Sequence, residues 1–306
     1  MGDFMTDLIK FIEDNKLGQY KENVSFKTLT TYKTGGVCKL LFMPNSVDSL
    51  KKILSYLKDN KISYKVFGNG SNILASDNDY NGVIIKLSSL DNIEIKSDVL
   101  EVEAGYNFSL LCNKMSKAGY KGFSFGCGIP GTVGGAVYMN AGAYLEDVSN
   151  IILKVDILDN NFNFKTLDKK DLGYSYRQSI FQEKEYIILK AYFKLEKGNA
   201  SEIISLINDR KERRMASQPL EYPSAGSVFR NPDNNYAGKL IEDAGLKGKT
   251  KGGAMISDKH ANFVINKNNA TSSDILYLME LINKEVKDKY NIDLYREQEL
   301  FNFEEK

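Results

Sequence analysis

The spacing of apolar residues over the first 90 positions predicts two helices and three short strands. Residues 4–15 form an apolar stripe on one helical face, made of Phe4, Leu8, Ile9, Phe11 and Ile12. A second helix is predicted to begin after Ser46, a favourable N-cap, and to end near Asn60. Short apolar runs predict strands over 39–43, 62–67 and 83–87. We therefore expect a small α/β unit here.

The rest of the chain is first rich in strand patterns and then returns to helices. Apolar spacing predicts a helix over 109–117, and alternating or apolar runs predict a strand pair over 93–102 and strands over 151–158, 162–167 and 186–195. Further on it predicts helices over 200–214, 237–244 and 272–290 and a strand over 261–266. Thr271 and Asp274 have the spacing of a capping box for the last helix. Breaks in the pattern near 90 and at 197–199 predict three domains, over 1–90, 91–199 and 200–306.

The composition of the chain is mainly useful for excluding classes of function. In 306 residues, 41 Lys and Arg face 40 Asp and Glu, and a net charge of +1 disfavours a nucleic-acid binder. One His and three widely spaced Cys argue against a zinc or iron–sulfur centre, so we predict no metal. We predict a cytoplasmic protein with no membrane partner, for three reasons. The cysteines are sparse, and no apolar run approaches the length of about 18 residues that spans a membrane. The first residues are acidic, unlike those of a signal peptide.

Two glycine-rich segments carry the first chemical signal. Gly68-Asn69-Gly70-Ser71-Asn72 follows a predicted strand, and its amides can hold an anion, although a plain turn explains this pentapeptide equally well. Over 122–142, seven of 21 positions are Gly, against 24 of 306 in the chain, a density that favours backbone packed against a large ligand. Residues 126–131 also match GxGxxG, but the flanking sequence lacks the strands of a dinucleotide-binding Rossmann unit.

Three separated segments together carry a family resemblance. They are the pentapeptide 68–72, the run 128–144 from GIPGTVGGA through NAGAY, and the decapeptide PSAGSVFRNP at 223–232. In this order, and over nearly the whole chain, they resemble the shorter subtype of the UDP-N-acetylenolpyruvoylglucosamine reductase family. The first two alone are typical of the wider superfamily of vanillyl-alcohol-oxidase-like flavin domains. One departure is Leu145-Glu146, where glycine is common in the family.

The resemblance implies a mixed α+β and α/β fold of three domains, two that bind FAD between them and a third that covers the substrate side. It implies non-covalent FAD, NADPH as co-substrate and a UDP-sugar enolpyruvyl ether as substrate, and we expect a monomer. The flavin-binding residues that it implies are Gly68, Asn69, Gly70, Ser71, Asn72, Gly131, Thr132, Gly135, Ala136, Asn140 and Gly142.

The resemblance also implies a catalytic set of Arg177, Ser227 and Glu297. Hydride addition to the methylene carbon leaves carbanion character beside the substrate carboxylate. Arg177 would grip that carboxylate and stabilise the negative charge, Glu297 would act with it as an acid or through water, and Ser227 would protonate the carbanion. The expected substrate contacts are Tyr176, Gln218, Arg230, Asn231 and His260. For His260, a role as a structural or rim residue is as well supported as contact with the substrate.

Other interpretations of these residues stay open. Taken singly, Arg177 is typical of a packed ion-pair residue, Ser227 of a turn hydroxyl, and Glu297 of a solvated charge run. The first alternative function is an FAD-dependent oxidase of the wider superfamily, some members of which tether the flavin through a His in the flavin domain. The second is a regulatory module that binds a flavin or a UDP-sugar without catalysis.

Overall fold

The computed structural model describes residues 2–304 and the side chains of residues 5–304, so the side chain of Phe4 lies outside the described residues. The helices are α1 (Gly2–Asp14), α2 (Val47–Asp59), α3 (Phe108–Lys117), α4 (Val133–Tyr138), α5 (Ala200–Ser217), α6 (Ala237–Asp243) and α7 (Ser272–Tyr290). The strands are β1 (Gly18–Ser25), β2 (Val37–Pro44), β3 (Tyr64–Phe67), β4 (Ile73–Ala75), β5 (Tyr80–Lys86), β6 (Ile93–Lys96), β7 (Val99–Glu103), β8 (Gly142–Ala143), β9 (Glu146–Asp147), β10 (Ile152–Leu158), β11 (Phe164–Asp168), β12 (Ile187–Lys194), β13 (Thr250–Lys251), β14 (Ala254–Ile256), β15 (Val264–Asn266) and β16 (Glu299–Phe301). These elements confirm a mixed fold of helices and strands. None of the helices within 2–304 is long and apolar enough to cross a membrane.

The chain divides into two compact units, each built from several stretches of sequence. The first contains Met1–Asn23, Lys39–Gly68 and Asn81–Ile207, and the second contains Val24–Cys38, Asn69–Tyr80 and Asn208–Lys306. The last boundary falls inside α5. The division into three consecutive domains stays a prediction.

Two sheets with their helices form the first unit. A four-stranded sheet has the order β1-β2-β5-β3, with β3 and β5 parallel, and an antiparallel five-stranded sheet has the order β11-β10-β12-β7-β6. Helix α2 begins as predicted, because the Ser46 hydroxyl accepts a hydrogen bond from the Ser49 amide at 3.1 Å. Its buried stripe of Leu50, Ile53, Leu54 and Leu57 belongs to the apolar core of this unit.

The second unit packs α6 and α7 with the antiparallel sheet β13-β14-β15 and the parallel pair β4-β16. The predicted capping box of α7 is confirmed: the Thr271 hydroxyl accepts from the Asp274 amide, and the Asp274 carboxylate accepts from the Thr271 amide. The apolar face of α7 contributes Ile275, Leu278, Met279, Ile282 and Val286 to the core.

The strand predicted over 261–266 is wrong in its first half. The Phe263 amide donates to the His260 carbonyl at 2.9 Å, which closes a turn, so β15 begins only at Val264. The sequence pattern also misses β4 and β16. Each is three residues long, too short for a periodicity, and their pairing joins Ile73 to Glu299 across the chain.

Candidate active site

Gly68 and Thr132, from two different glycine-rich segments, lie in direct contact in the first unit. A Cβ built on Gly68 would lie 2.8 Å from the Thr132 hydroxyl oxygen. Thr132 is the N-cap of α4, and its hydroxyl accepts from the Gly135 amide at 3.2 Å. Any side chain at position 68 would displace this cap, so glycine is required for the close approach. The predicted flavin-binding residues Gly131, Thr132, Gly135 and Ala136 are gathered at this turn.

The GxGxxG match has a packing role instead. Residues Ser124–Gly128 form a 3-10 helix, and a Cβ on Gly126 would overlap the Cys112 sulfur and the Phe108 ring of α3. This geometry agrees with the prediction, made from the flanking sequence, that these residues do not form a Rossmann unit.

The remainder of the first glycine segment lies in the second unit. Gly70 has a φ of +61°, and a Cβ there would overlap the Leu29 carbonyl oxygen. Asn72 joins this segment to the C-terminal strand: its side chain donates to the Glu297 carbonyl at 3.0 Å, and its carbonyl accepts from the Glu299 amide at 2.9 Å. The pairing of β4 with β16 continues from this point.

Ser227 and Glu297 are brought together within the second unit by two extended segments. The Glu297 amide donates to the Val228 carbonyl at 2.8 Å, and the Arg230 amide donates to the Tyr295 carbonyl at 2.9 Å. This antiparallel pairing sets Glu297 across from the residue that follows Ser227. The Ser227 side chain is half-buried, and its hydroxyl forms no hydrogen bond to any residue in the described part of the chain.

Two buried amides that the sequence analysis missed hold this loop. Asn262 bonds Phe229 twice, with its side-chain nitrogen donating to the carbonyl at 2.8 Å and its side-chain oxygen accepting from the amide at 3.0 Å. Gln298 donates to the carbonyls of residues 225–227. Asn262 interrupts the apolar run Ala261–Ile265, and that polar interruption is the signal that could have drawn attention to it.

Arg177 lies in a tight turn of the first unit. Ser175 and Gln178 close the turn, and Arg177 itself has a φ of +58°. One guanidinium nitrogen donates to the Gly142 carbonyl at 2.5 Å, and the guanidinium carbon lies 5.3 Å from the centroid of the Tyr176 ring. The predicted catalytic cation is therefore oriented by the second glycine-rich segment.

Asn140 ties the same turn to the glycine-rich segment. This residue is 1% exposed. Its side-chain nitrogen donates to the Ser175 carbonyl at 3.0 Å and its oxygen accepts from the Ser149 amide at 3.0 Å. These two bonds use one N–H donor and one oxygen lone pair of the Asn140 side-chain amide within the protein. A direct flavin contact by Asn140 stays a prediction.

The hairpin of β8 and β9 contains the departure from the family pattern. Its two turn residues, Tyr144 and Leu145, have φ values of +59° and +62°. A two-residue hairpin of this kind favours Asn-Gly, because both positions need positive φ. The Leu145 side chain is fully exposed. The turn therefore forms without glycine, at the price of backbone strain.

The predicted substrate contacts in the second unit differ in whether their side chains already form hydrogen bonds within the protein. The Gln218 side-chain oxygen is buried and accepts no hydrogen bond from a described residue, so it can accept one from a ligand. Asn231, by contrast, accepts from the Ala237 amide at 3.1 Å, where α6 begins. Arg230 is half-buried beside the segment that holds Glu297.

His260 is built into the structure of the second unit. Its Nδ1 accepts from the Asn262 amide at 3.2 Å, and its ring packs on Phe263 with centroids 4.9 Å apart. Burial is the main cause that lowers the pKa of His260 below its ordinary 6.5. A neutral imidazole that supports Asn262 fits the structural interpretation, and its contact with substrate stays a prediction.

Comparison with known proteins adds two family matches. Residues 38–163 match the model of an FAD binding domain, and residues 218–301 match that of the UDP-N-acetylenolpyruvoylglucosamine reductase C-terminal domain. The UDP-N-acetylenolpyruvoylglucosamine reductase of Caldanaerobacter subterraneus subsp. tengcongensis is 44% identical over 297 residues, which cover 97% of this chain and 98% of that protein. The protein of the same name from Clostridium botulinum strain Eklund 17B is 43% identical, over 91% of this chain and 92% of its own.

Solved structures give a similar result. The crystal structure of the Thermus caldophilus UDP-N-acetylenolpyruvylglucosamine reductase matches with a TM-score of 0.80 at 30% identity, covering 93% of this chain and 99% of that one. The glucose dehydrogenase Phl p 4.0202 matches with a TM-score of 0.51 at 14% identity over 65% of this chain and 44% of its own. The second match shows a shared fold only.

Proposed function

The chain belongs to the UDP-N-acetylenolpyruvoylglucosamine reductase family, and on that premise we propose that it reduces UDP-N-acetylglucosamine enolpyruvate to UDP-N-acetylmuramate. FAD is the cofactor and NADPH the electron donor. The observation that carries the proposal is a chain of hydrogen bonds in the second unit, in which Asn72 bonds the backbone at Glu297 and Glu297 bonds the backbone of Val228, the residue after Ser227. It joins the first glycine-rich motif, which is typical of the wider flavin superfamily, to the third segment, PSAGSVFRNP, which separates this reductase family from the oxidases.

The residues of the glycine-rich segments fit FAD. The close approach of Gly68 to Thr132 is one that a Cβ would block, and Gly70 needs its positive φ. The Asn69 side chain forms no hydrogen bond among residues 2–304, so its amide is available to a ligand. Gly68–Asn72 and Gly131–Ala136 would hold the cofactor, which when bound supplies hydride to the substrate's methylene carbon.

Arg177 stabilises the negative charge that develops beside the substrate carboxylate. A guanidinium has five N–H donors in a planar fork that matches the geometry of a carboxylate, and the bond to the Gly142 carbonyl orients this fork. Because that bond exists in the protein alone, the cation is oriented before the substrate arrives. Preorganised charge of this kind lowers a barrier without reorganisation during the reaction.

Ser227 donates the proton that completes the reduction. The hydride goes to the methylene carbon, the proton goes from the Ser227 hydroxyl to the carbon next to the carboxylate, and the double bond is consumed. The serine oxygen regains a proton from water or through Glu297. A hydroxyl is a weak acid, but it is sufficient here because a carbanion is far more basic.

Anaerobic half-reactions test the proposed function. The purified protein is reduced with NADPH, UDP-N-acetylglucosamine enolpyruvate is added, and flavin absorbance is followed. We expect bleaching by NADPH and full recovery of absorbance with the enolpyruvyl substrate. Recovery with oxygen and not with this substrate would favour an oxidase, and bound flavin that NADPH does not bleach would favour a binding module.

Whether the flavin is covalently attached also distinguishes the proposed reductase from an oxidase that tethers its flavin through a His. The only His, His260, lies outside the segment 38–163 that matches the FAD binding domain. We therefore expect the flavin to leave the protein on denaturation.

We also propose that the protein works as a cytoplasmic monomer with no nucleic-acid or membrane partner. All three cysteines, Cys38, Cys112 and Cys127, are free thiols, which supports a reducing compartment. The balanced net charge of +1 gives little overall attraction to polyanions. Sedimentation equilibrium should give the mass of one chain, and vesicles or duplex DNA should not change it.

A further inference from the structure

Gln298 is a buried side chain whose donors converge on one loop. It is 3% exposed. Its side-chain nitrogen lies 3.1 Å from the carbonyl oxygens of Ala225 and Gly226 and 3.3 Å from that of Ser227. A single amide thus gathers three consecutive carbonyls, the last of which belongs to Ser227.

The other end of the Gln298 amide is held by Tyr32. The Tyr32 hydroxyl donates to the Gln298 side-chain oxygen at 2.9 Å. Tyr32 is fully buried, and its own carbonyl accepts from the Asn266 side chain at 2.9 Å. Burial raises the pKa of Tyr32 above its usual 10, so the phenol stays a donor. This fixes which end of the Gln298 amide faces the loop, because only its nitrogen can donate to carbonyls.

The loop over residues 224–227 has little else to hold its backbone. Within the described chain these four residues form no backbone–backbone hydrogen bond, and the regular pairing starts only at Val228. Gly226 has a φ of +78° and open space around it. The backbone on both sides of Gln298 is held by Asn72, which forms hydrogen bonds to the Glu297 carbonyl and the Glu299 amide.

We infer that Gln298, oriented by Tyr32, is a positioning residue that fixes the Ser227 backbone so that the hydroxyl points to its proton acceptor. The inference rests on the proposed function, in which Ser227 is the proton donor. Gln298 touches the carbonyls and not the Ser227 hydroxyl, so it directs the donor without competing for the proton.

Three variants test this role. Gln298→Met keeps the length of the side chain and removes both polar ends, and Tyr32→Phe removes only the hydroxyl that orients Gln298. The matched control is Thr34→Val, which deletes another buried hydroxyl of the same unit, the partner of Ser272 at 2.9 Å. Thermal melting and flavin content are measured for all three.

Half-reaction kinetics should separate positioning from general destabilisation. For Gln298→Met we expect flavin reoxidation by the enolpyruvyl substrate to slow about tenfold or more, with reduction by NADPH within about twofold of wild type. Tyr32→Phe should slow reoxidation about threefold, and Thr34→Val should leave it unchanged. Equal slowing in Gln298→Met and Thr34→Val, or equal loss of both half-reactions, would overturn the inference.

Hydrogen exchange of the flavin-free protein gives a readout that does not depend on activity. Amides in the 223–230 segment should exchange faster in Gln298→Met than in Thr34→Val. Unchanged exchange in this segment would contradict the positioning role, even if reoxidation were slow.

Gln298→Glu adds a pH signature and covers the case in which Gln298→Met does not fold. A protonated Glu can donate to one carbonyl and accept from Tyr32, whereas the carboxylate would face three carbonyls. Reoxidation by this variant should therefore speed up as pH falls, relative to wild type. A pH profile parallel to that of wild type would overturn the inference.

Ser227→Ala separates this inference from the proposed function. If Ser227→Ala reoxidises at the wild-type rate, the proton-donor role of Ser227 has failed. If Ser227→Ala is slow and all Gln298 variants reoxidise normally, only the positioning role has failed.

Discussion

Arg177 and Ser227 are held in opposite ways. Arg177 is fixed through its functional group, which donates to the Gly142 carbonyl from a turn with a left-handed backbone. Ser227 is fixed through its backbone, because Gln298 binds its carbonyl while the hydroxyl stays uncommitted among the described residues. A group that stabilises charge can be anchored by one donor and still use the others. A group that must give its only proton away has to be oriented from elsewhere.

Ser227→Ala should give the largest effect, because it removes the hydroxyl that we propose as the proton donor. We expect flavin reoxidation by the enolpyruvyl substrate to slow about 100- to 10,000-fold, a range typical of a lost general acid. Reduction by NADPH should stay near the wild-type rate. Stopped-flow absorbance measures both steps, and similar losses in the two would remove the proton-donor role.

Arg177→Lys should rank second, because it keeps the charge and loses the planar fork. A lysine ammonium cannot bind the Gly142 carbonyl and a carboxylate with the same geometry. We expect reoxidation to slow about 100-fold, close to the effect of losing one preorganised donor. Stopped-flow reoxidation checks this, and a rate near that of wild type would show that the fork is not needed.

Asn140→Asp should have a moderate effect, because it breaks the bond to Ser175 and keeps the acceptor for the Ser149 amide. We expect a loss of about 1–3 kcal/mol in the free energy of unfolding and about tenfold slower reoxidation. Denaturant melts and stopped-flow measure the two. The control is Asn150→Asp in the same region, which keeps the acceptor for the Asp147 amide and should change neither quantity.

The pH dependence of stability tests the structural role of His260. Because the folded-state pKa lies below the usual 6.5, the unfolded chain binds this proton more readily, and stability falls as pH drops below about 6.5. His260→Gln should flatten that decline and leave stability above pH 7 little changed. Denaturant melts at several pH values measure it, and an unchanged slope would mean that His260 stays solvated.

Leu145→Gly should give the smallest change, and in the stabilising direction. Glycine removes the cost of a left-handed Leu, about 1 kcal/mol, and no packing is lost because the Leu145 side chain is fully exposed. The matched control is Leu145→Ala, which removes the same exposed atoms but keeps Cβ. Equal thermal midpoints for the two variants would show that the turn is not strained.

The sequence was sufficient to predict features that depend only on contacts between residues near each other in the chain. The N-cap at Ser46 and the capping box of Thr271 and Asp274 follow from contacts within one turn, so sequence spacing was sufficient. The motifs around Ser227 were identified by resemblance, since nothing about a lone serine distinguishes a proton donor from a turn residue.

Long-range contacts explain what the sequence could not predict. Gln298 is bound to Tyr32 from 266 positions away, and β16 pairs with β4 over a similar separation. Gln298 also lies in a charged run that is ordinarily solvated. Only the fold shows that this one member is buried.

Chemical rescue of two truncations tests the contrast between Arg177 and Ser227 most directly. Arg177→Ala and Ser227→Ala are reduced anaerobically, and reoxidation by the enolpyruvyl substrate is followed with added guanidinium ion or with a small buffer acid. We predict that guanidinium accelerates only Arg177→Ala and that the buffer acid accelerates only Ser227→Ala. Rescue of Ser227→Ala by guanidinium, or of Arg177→Ala by the buffer acid alone, would contradict the assignment of charge stabilisation to one residue and proton donation to the other.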